Sequence, residues 1–336
     1  MEQNLQDKLL VVEHLSKEFE PSRRLFDHAQ PSVKAVNDVS FYIKHGETFG
    51  VVGESGCGKT TLGKCIVRLY NPSSGKMLFH DDGEMKDLLR LDRKESFALR
   101  QKLQIVFQDP YASLNPTHNI LEAFDEPMRI HGIGGGNKEK RKEIIADSLR
   151  VVNLQPEYMY RYPHEFSGGQ RQRICIAKAL ALKPKLIVCD EPVSALDVSI
   201  QAQILNLMRK LQKEYSLAFL FIAHDLSVVQ FMSDRIAVMY LGQIVEMADA
   251  GELYCNHLHP YTEALLSAVP VPVYGAKKDR IILSGDVPSP MNPPAGCPFH
   301  PRCSKCMGLC KTQKPELRPT GNGDHCVACH LYDSSR

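Results

Sequence analysis

Polar and apolar residues alternate from Val39 to Lys44, with Val39, Phe41 and Ile43 on one side and Ser40, Tyr42 and Lys44 on the other. Period two is the pattern of a half-buried strand, and His45-Gly46 supplies a turn before a second run, Glu47 to Val52. Three later apolar runs, Leu186 to Cys189, Leu217 to Ala223 and Ile236 to Tyr240, have strand length. Between the first two, Ile200, Ile204, Leu207, Met208 and Leu211 recur at helical spacing. Strands alternating with helices predict an α/β body with a largely parallel sheet. From Asp109 to Phe166 the pattern turns mostly helical, broken by Gly132 to Gly136 and charged from Lys138 to Glu143, which reads as a helical insertion. Beyond Pro270 the chain is rich in Pro and Gly, with Pro288, Pro290, Pro293 and Pro294 close together, so an irregular extension is expected there. No internal repeat is evident.

The 336 residues suggest roughly two domains, at about 150 residues each, and are enough for a large core. Charge adds little, since 41 Lys and Arg against 39 Asp and Glu leave +2, which gives no global field favouring nucleic acid. The apolar runs fall far short of the roughly 18 residues that span a bilayer. Near the start, Glu2, Asp7 and Glu13 interrupt any signal-like apolar block, so a cytosolic chain is expected.

Chemistry concentrates first at Gly53-Glu54-Ser55-Gly56-Cys57-Gly58-Lys59-Thr60, a phosphate-loop pattern placed between a strand-like and a helix-like run, with Thr61 following. Glycines let the backbone aim N–H groups at phosphates, Lys59 adds a cation, and the Thr60 hydroxyl is a magnesium ligand. Asp190 and Glu191 close the Leu186 strand, where Asp190 suits a water-mediated hold on the metal and Glu191 suits polarising an attacking water.

Phe166-Ser167-Gly168-Gly169-Gln170, with Gln108, Ser194-Ala195-Leu196-Asp197 and His224, resembles the motif set of ATP-binding-cassette ATPases over approximately Leu9 to Pro270. The resemblance implies an α/β phosphate-loop domain over residues 1–270, with an antiparallel β subdomain and a helical subdomain at about 109–180, followed by a Cys-rich extension over 271–336. It further implies two cassettes facing head to tail, each ATP lying between one phosphate loop and the opposite signature. Ser167, Gly168 and Gly169 at a helix start suit a γ-phosphate. By resemblance Gln108 contacts magnesium and senses the γ-phosphate, His224 holds that phosphate, and Asp197 joins the subunits. Phe19 is the closest match to the base-stacking aromatic, with Phe26 and Tyr42 weaker, and a packing role fits such a ring equally.

Gln108 to Pro116, Glu191 to Ser199 and His259 to Leu266 resemble ATPase subunits of bacterial dipeptide, oligopeptide and nickel importers, most closely the second ATPase subunit of dipeptide importers. That resemblance implies a related second ATPase or a self-dimer, two membrane permeases, an extracytoplasmic peptide-binding protein acting indirectly, and a place on the cytoplasmic face of the membrane. The insertion is then expected to dock on a permease. The alternative is a soluble cassette ATPase in repair, translation or iron-sulfur metabolism.

Of eleven cysteines, six crowd between Cys297 and Cys329. Cys303-Ser304-Lys305-Cys306, nineteen residues, then Cys326-Val327-Ala328-Cys329 is a plausible zinc spacing. The importer resemblance instead implies a 4Fe-4S cluster on Cys297, Cys303, Cys310 and Cys329, with Cys306 and Cys326 outside the shared pattern. Thiolate softness suits either metal. His300, His325 and His330 are expected to be exposed neighbours, and Cys57, Cys65, Cys175 and Cys189 packing or loop residues.

Overall fold

The computed structural model describes residues 7–20, 32–269, 280–321 and 324–333. In chain order, strands β1 (Lys8–Phe19), β2 (Val33–Lys44) and β3 (Thr48–Val52) lead into helix α1 (Lys59–Ile66), followed by β4 (Ser74–Asp81) and β5 (Glu84–Asp87). The middle of the chain holds α2 (Arg93–Lys102), β6 (Leu103–Val106), α3 (Pro110–Ser113), α4 (Ile120–Ile130), α5 (Lys138–Val151) and α6 (Gly168–Ala181). Then come β7 (Leu186–Asp190), α7 (Val198–Tyr215), β8 (Ala218–Ala223), α8 (Leu226–Met232), β9 (Arg235–Tyr240) and β10 (Gln243–Asp249). Helices α9 (Ala250–Cys255) and α10 (Pro260–Ser267) precede a tail with two short strands, β11 (Arg318–Pro319) and β12 (Cys326–Val327).

Two compact units result, one within residues 1–43, 48–89 and 222–336, the other within 44–47 and 90–221. In the first, β1, β2, β4 and β5 form a sheet in the order β2-β1-β4-β5, with β4 antiparallel to both β1 and β5. Val39, Phe41 and Ile43 of β2 are all buried, as their alternation requires. A second layer pairs β3 in parallel with β9, from Phe49 opposite Arg235 to Val52 opposite Val238. β9 is buried at every position, which explains its continuous apolar run. β10 then pairs antiparallel with β9, a reversal that the apolar pattern did not announce.

In the second unit β6 pairs in parallel with β7, and β8 lies on the other side of β7. Ile204, Leu207, Met208 and Leu211 of α7 are buried. The stretch expected as a helical insertion holds α3, α4 and α5 with two short 3-10 turns. Among the described residues no helix is long and apolar enough to cross a membrane.

The tail has few regular elements, yet it is tied down. Glu246 of β10 sits opposite Val327 of β12, and the Ala328 amide donates to the Val245 carbonyl at 2.8 Å. Exposed histidines were expected here, but His325 and His330 are both 9% exposed. His325 Nε2 lies 2.9 Å from Glu246 Oε1, and His330 meets the Asp333 carboxylate and the Gln313 carbonyl. The reason is compensation: Glu246 has no exposed surface, and a buried carboxylate needs donors, which His325 and the Leu258 and His259 amides supply.

These contacts make tail docking depend on pH. The hydrogen bond to Glu246 raises the His325 pKa above 6.5 against its own burial, with Glu252 adding to it. Burial pushes Glu246 up, but hydrogen bonds from His325 and the two amides outweigh it and hold its pKa below 4.5. A raised histidine stabilises fully below its unfolded value and loses that contribution as pH climbs through the raised folded value. Thermal unfolding of the wild-type chain should therefore show a decline above about pH 6.5 that His325→Gln flattens. Parallel pH profiles for the two proteins would contradict the assignment.

Candidate nucleotide site

β3 ends at Val52 and α1 begins at Lys59, so the phosphate loop joins a buried strand to a helix N-terminus. Gly58 caps α1 in the left-handed region, φ 107°, and a Cβ there would lie 2.0 Å from the Ala35 carbonyl oxygen. Only glycine satisfies both conditions. The Gly242 amide donates to the Cys57 carbonyl at 2.8 Å, fixing the loop from behind. Lys59 is 5% exposed and its ammonium donates to the carbonyls of Gly53 at 2.7 Å and Glu54 at 2.9 Å. Burial raises the Cys57 thiol despite that nearby cation. Ser55, Gly56 and Thr60 remain exposed on the open side, with Thr61 one residue further into α1. A helix N-terminus presents unpaired N–H groups and a partial positive charge, so this loop is suited to a polyphosphate.

Glu54 is held from two further directions. Its amide donates to the Tyr261 hydroxyl at 2.9 Å, and its carboxylate accepts from both terminal nitrogens of Arg302 at 2.7 and 3.1 Å. Neither Tyr261 nor Arg302 was a candidate from sequence. Both lie more than 200 positions away, and nothing in their local pattern signals contact with the loop.

In the second unit the buried strand β7 delivers Asp190, 4% exposed, and Glu191 follows in the left-handed region at φ 48°. A non-glycine residue held there turns the chain sharply off the strand end, a conformation that clusters at functional sites. Gln108 Nε2 donates to the Glu191 carboxylate at 3.0 Å and to Ser194 Oγ at 3.3 Å, while that hydroxyl donates to the Glu191 carbonyl. Gln108 and Glu191, widely separated in sequence, are thus brought together. Ser194 is a third member that sequence reading placed only within a family stretch.

Ser167 is the N-cap of α6. Its hydroxyl accepts from the Gln170 amide at 3.3 Å and Gln170 Oε1 accepts from the Ser167 amide at 3.0 Å, a reciprocal capping box. As an acceptor there, the Ser167 hydroxyl still has its own proton to donate. Gly169 sits where a Cβ would meet Ile200 Cγ2 at 2.6 Å, so α6 packs tightly on the start of α7. Arg171 braces the turn before α6, donating to the Pro163 and Phe166 carbonyls and lying 3.7 Å from the centroid of the Tyr111 ring.

Asp197, the N-cap residue of α7, is exposed and makes no side-chain cap. His224 follows the last residue of β8 and is exposed. Phe19 is 36% exposed, edge-on to Tyr70 at 5.4 Å. Tyr42 lies between the Lys8 and Arg235 cations and its hydroxyl donates to Asp324. Phe26 lies outside the described residues.

In the tail, the Cys297 amide donates to the Cys310 carbonyl at 2.8 Å. Burial pushes the Cys297 thiol up to about 12, and Cys310, Cys329 and Cys303 are near enough to raise it further. Cys329 is likewise raised to about 11 by burial, then by Cys303 and Cys310. Burial raises the Cys326 thiol, and Asp324 adds to that while Arg235 opposes it. Among the described residues no three His, Cys, Asp or Glu side chains converge closely enough to hold one metal ion. Cys57, Cys65, Cys175 and Cys189 are buried packing residues.

Together the fold and the phosphate loop define an ATP-binding cassette. The profile of the ABC transporter family matches residues 36–194, and that of the oligopeptide/dipeptide transporter C-terminal region matches residues 245–310. The chain is 51% identical over 326 residues to the putative oligopeptide transport ATP-binding protein YkfD of Bacillus subtilis (strain 168), covering 96% of this chain and 95% of that one. It is 50% identical over 330 residues to the oligopeptide transport ATP-binding protein AppF of the same organism, covering 97% and 98%. A dimeric ATP-binding cassette solved in a post-hydrolysis state with ADP and Pi superposes at TM-score 0.61 and 28% identity, covering 72% of this chain and 98% of that one. The chain belongs to the ABC transporter ATP-binding proteins of the oligopeptide/dipeptide transporter family and is an ATPase.

Two glycines of the loop should separate in their tolerance of a methyl group. Gly58→Ala meets backbone at 2.0 Å as well as left-handed strain, and is expected to lower both the unfolding temperature and nucleotide affinity. At Gly56, φ 80° with nothing within 4 Å, alanine should cost only the backbone strain, about 1 kcal/mol. Equal losses in melting and nucleotide titration would contradict this reading.

Proposed function

We propose that this chain is the ATP-hydrolysing subunit that energises import of dipeptides or oligopeptides through a membrane ABC transporter. The observation that carries the proposal is a complete phosphate loop in a chain matching oligopeptide transport ATP-binding proteins over nearly its full length. The soluble-cassette alternative finds no support in those relatives. Lys59 and the amides of residues 53–60 take the phosphates, Thr60, Gln108 and Asp190 are the magnesium set, and Phe19 faces the base. Magnesium, when bound, supplies charge neutralisation at the phosphates. Glu191 accepts the proton of the attacking water, and Gln108, hydrogen-bonded to it, aligns that carboxylate. His224 contacts the γ-phosphate.

The signature end, Ser167 to Gln170, serves ATP held by a partner cassette, and exposed Asp197 beside it suits contact with that partner. The partner is a related second ATPase or a second copy of this chain. The insertion from Asp109 to Phe166 docks on one of two permeases at the cytoplasmic face, so that closure on ATP is transmitted to the membrane subunits. Residues 1–270 carry this machinery and 271–336 the metal-binding tail. Glu191→Gln in the assembled transporter should retain ATP binding and lose most turnover, at least about a hundredfold. Hydrolysis near the wild-type rate would remove Glu191 from the role of base.

For the tail, we propose a 4Fe-4S cluster on Cys297, Cys303, Cys310 and Cys329. The likeness of the cysteine pattern to the importer tail supports this reading, and Cys303, Cys310 and Cys329 all act on the Cys297 thiol. Such a group stabilises a segment too irregular to build a core of its own. Anaerobically purified protein should contain iron and acid-labile sulfide, both reduced in Cys310→Ser and retained in Cys326→Ser. Zinc without sulfide would refute the cluster.

A further inference from the structure

Arg302 reaches back from the tail to the phosphate loop. Its side chain is 7% exposed and that of Glu54 28%, and two parallel N–H···O bonds join them. A bidentate guanidinium–carboxylate pair fixes orientation as well as distance. The Arg302 Nε finds no partner among the described residues, so the Glu54 carboxylate is the main compensation for a buried charge. Phe299, in the same turn and 1% exposed, is seated among Tyr240 at 5.3 Å, Tyr261 at 5.4 Å and His259 at 5.5 Å between ring centroids. Tyr261 in turn takes the Glu54 amide. One turn of the tail therefore holds Glu54 at its carboxylate directly and at its amide through a packed ring. The third polar group of Glu54, its carbonyl, accepts from the Lys59 ammonium.

We propose that Arg302 is a positioning residue of the nucleotide site, acting through Glu54 to hold the phosphate loop and Lys59 ready for phosphate. The tail is then a clamp in cis on the loop, and nucleotide affinity depends on its docking. Arg302 is bonded to the loop that takes the phosphates, so the effect falls on binding more than on turnover. The proposal rests on the nucleotide-binding role assigned above, but not on a metal in the tail.

The test uses the full chain and N-methylanthraniloyl-ATP as the fluorescent probe, with steady-state hydrolysis in the assembled transporter. Relative to wild type, Arg302→Ala should raise the probe Kd and the KM for ATP by about tenfold, while kcat falls less than about twofold. Arg302→Lys should recover part of the affinity, because an ammonium keeps the charge but not the fork. Glu54→Gln should reproduce the loss, and adding it to Arg302→Ala should deepen it little, since both remove one coupled interaction. Wild-type affinity in Arg302→Ala with an unchanged unfolding temperature would overturn the clamp. Full additivity of the two losses would overturn it too. Should Arg302→Ala fail to fold, Arg302→Lys and Glu54→Gln carry the test, and wild-type Kd in both overturns the clamp. A wild-type chain that does not bind the probe would defeat the nucleotide-binding role itself, and the clamp with it.

Discussion

A polyphosphate is bound by backbone only where several N–H groups converge and no side chain stands in front of them. The loop between β3 and α1 meets that demand by threading glycine past the Ala35 carbonyl, where a single Cβ would lie at 2.0 Å. Much of the first unit serves the same end. β3 is buried on both faces so that its end is rigid, β9 pairs beside it, and Gly242 just beyond β9 pins the loop through Cys57. Helix α1 then begins at the residue that carries the cation.

The second unit solves a different problem, which is to present two acids in succession at the end of a buried strand. β7 drives its last acid into a buried position, and the left-handed turn at Glu191 lifts the next one off the strand. Gln108 and Ser194 then fix that carboxylate and its carbonyl. The helix that starts at Ser167 needs its capping box and Arg171 to keep the signature turn in register with α6. The cap, the strand end and the loop are local devices with local sequence signals, which is why they were legible in advance, whereas the Gln108–Glu191 contact spans 83 positions.

What was not legible came from contacts between distant segments. β4, β5 and β10 carry weak alternation because their faces are only partly buried or are buried on both sides, so periodicity alone does not mark them. The buried state of His325 depends on Glu246, 79 positions away, and an apolar pattern cannot report a buried ion pair. Arg302 reads as one more cation in a Pro- and Cys-rich stretch, yet its partner is in the phosphate loop. Cysteine spacing was informative but ambiguous. It permitted two ligand sets, one of paired thiols and one that leaves out Cys306 and Cys326.

The central claim is that the loop over residues 53–60, with its cation, is where the triphosphate is taken. Equilibrium binding of ATP by isothermal calorimetry, comparing wild type with Lys59→Ala at matched folding, tests it most directly. Affinity should fall by at least about tenfold when the ammonium that now rests on the Gly53 and Glu54 carbonyls is removed. An unaltered ATP affinity in a folded Lys59→Ala chain would contradict the account.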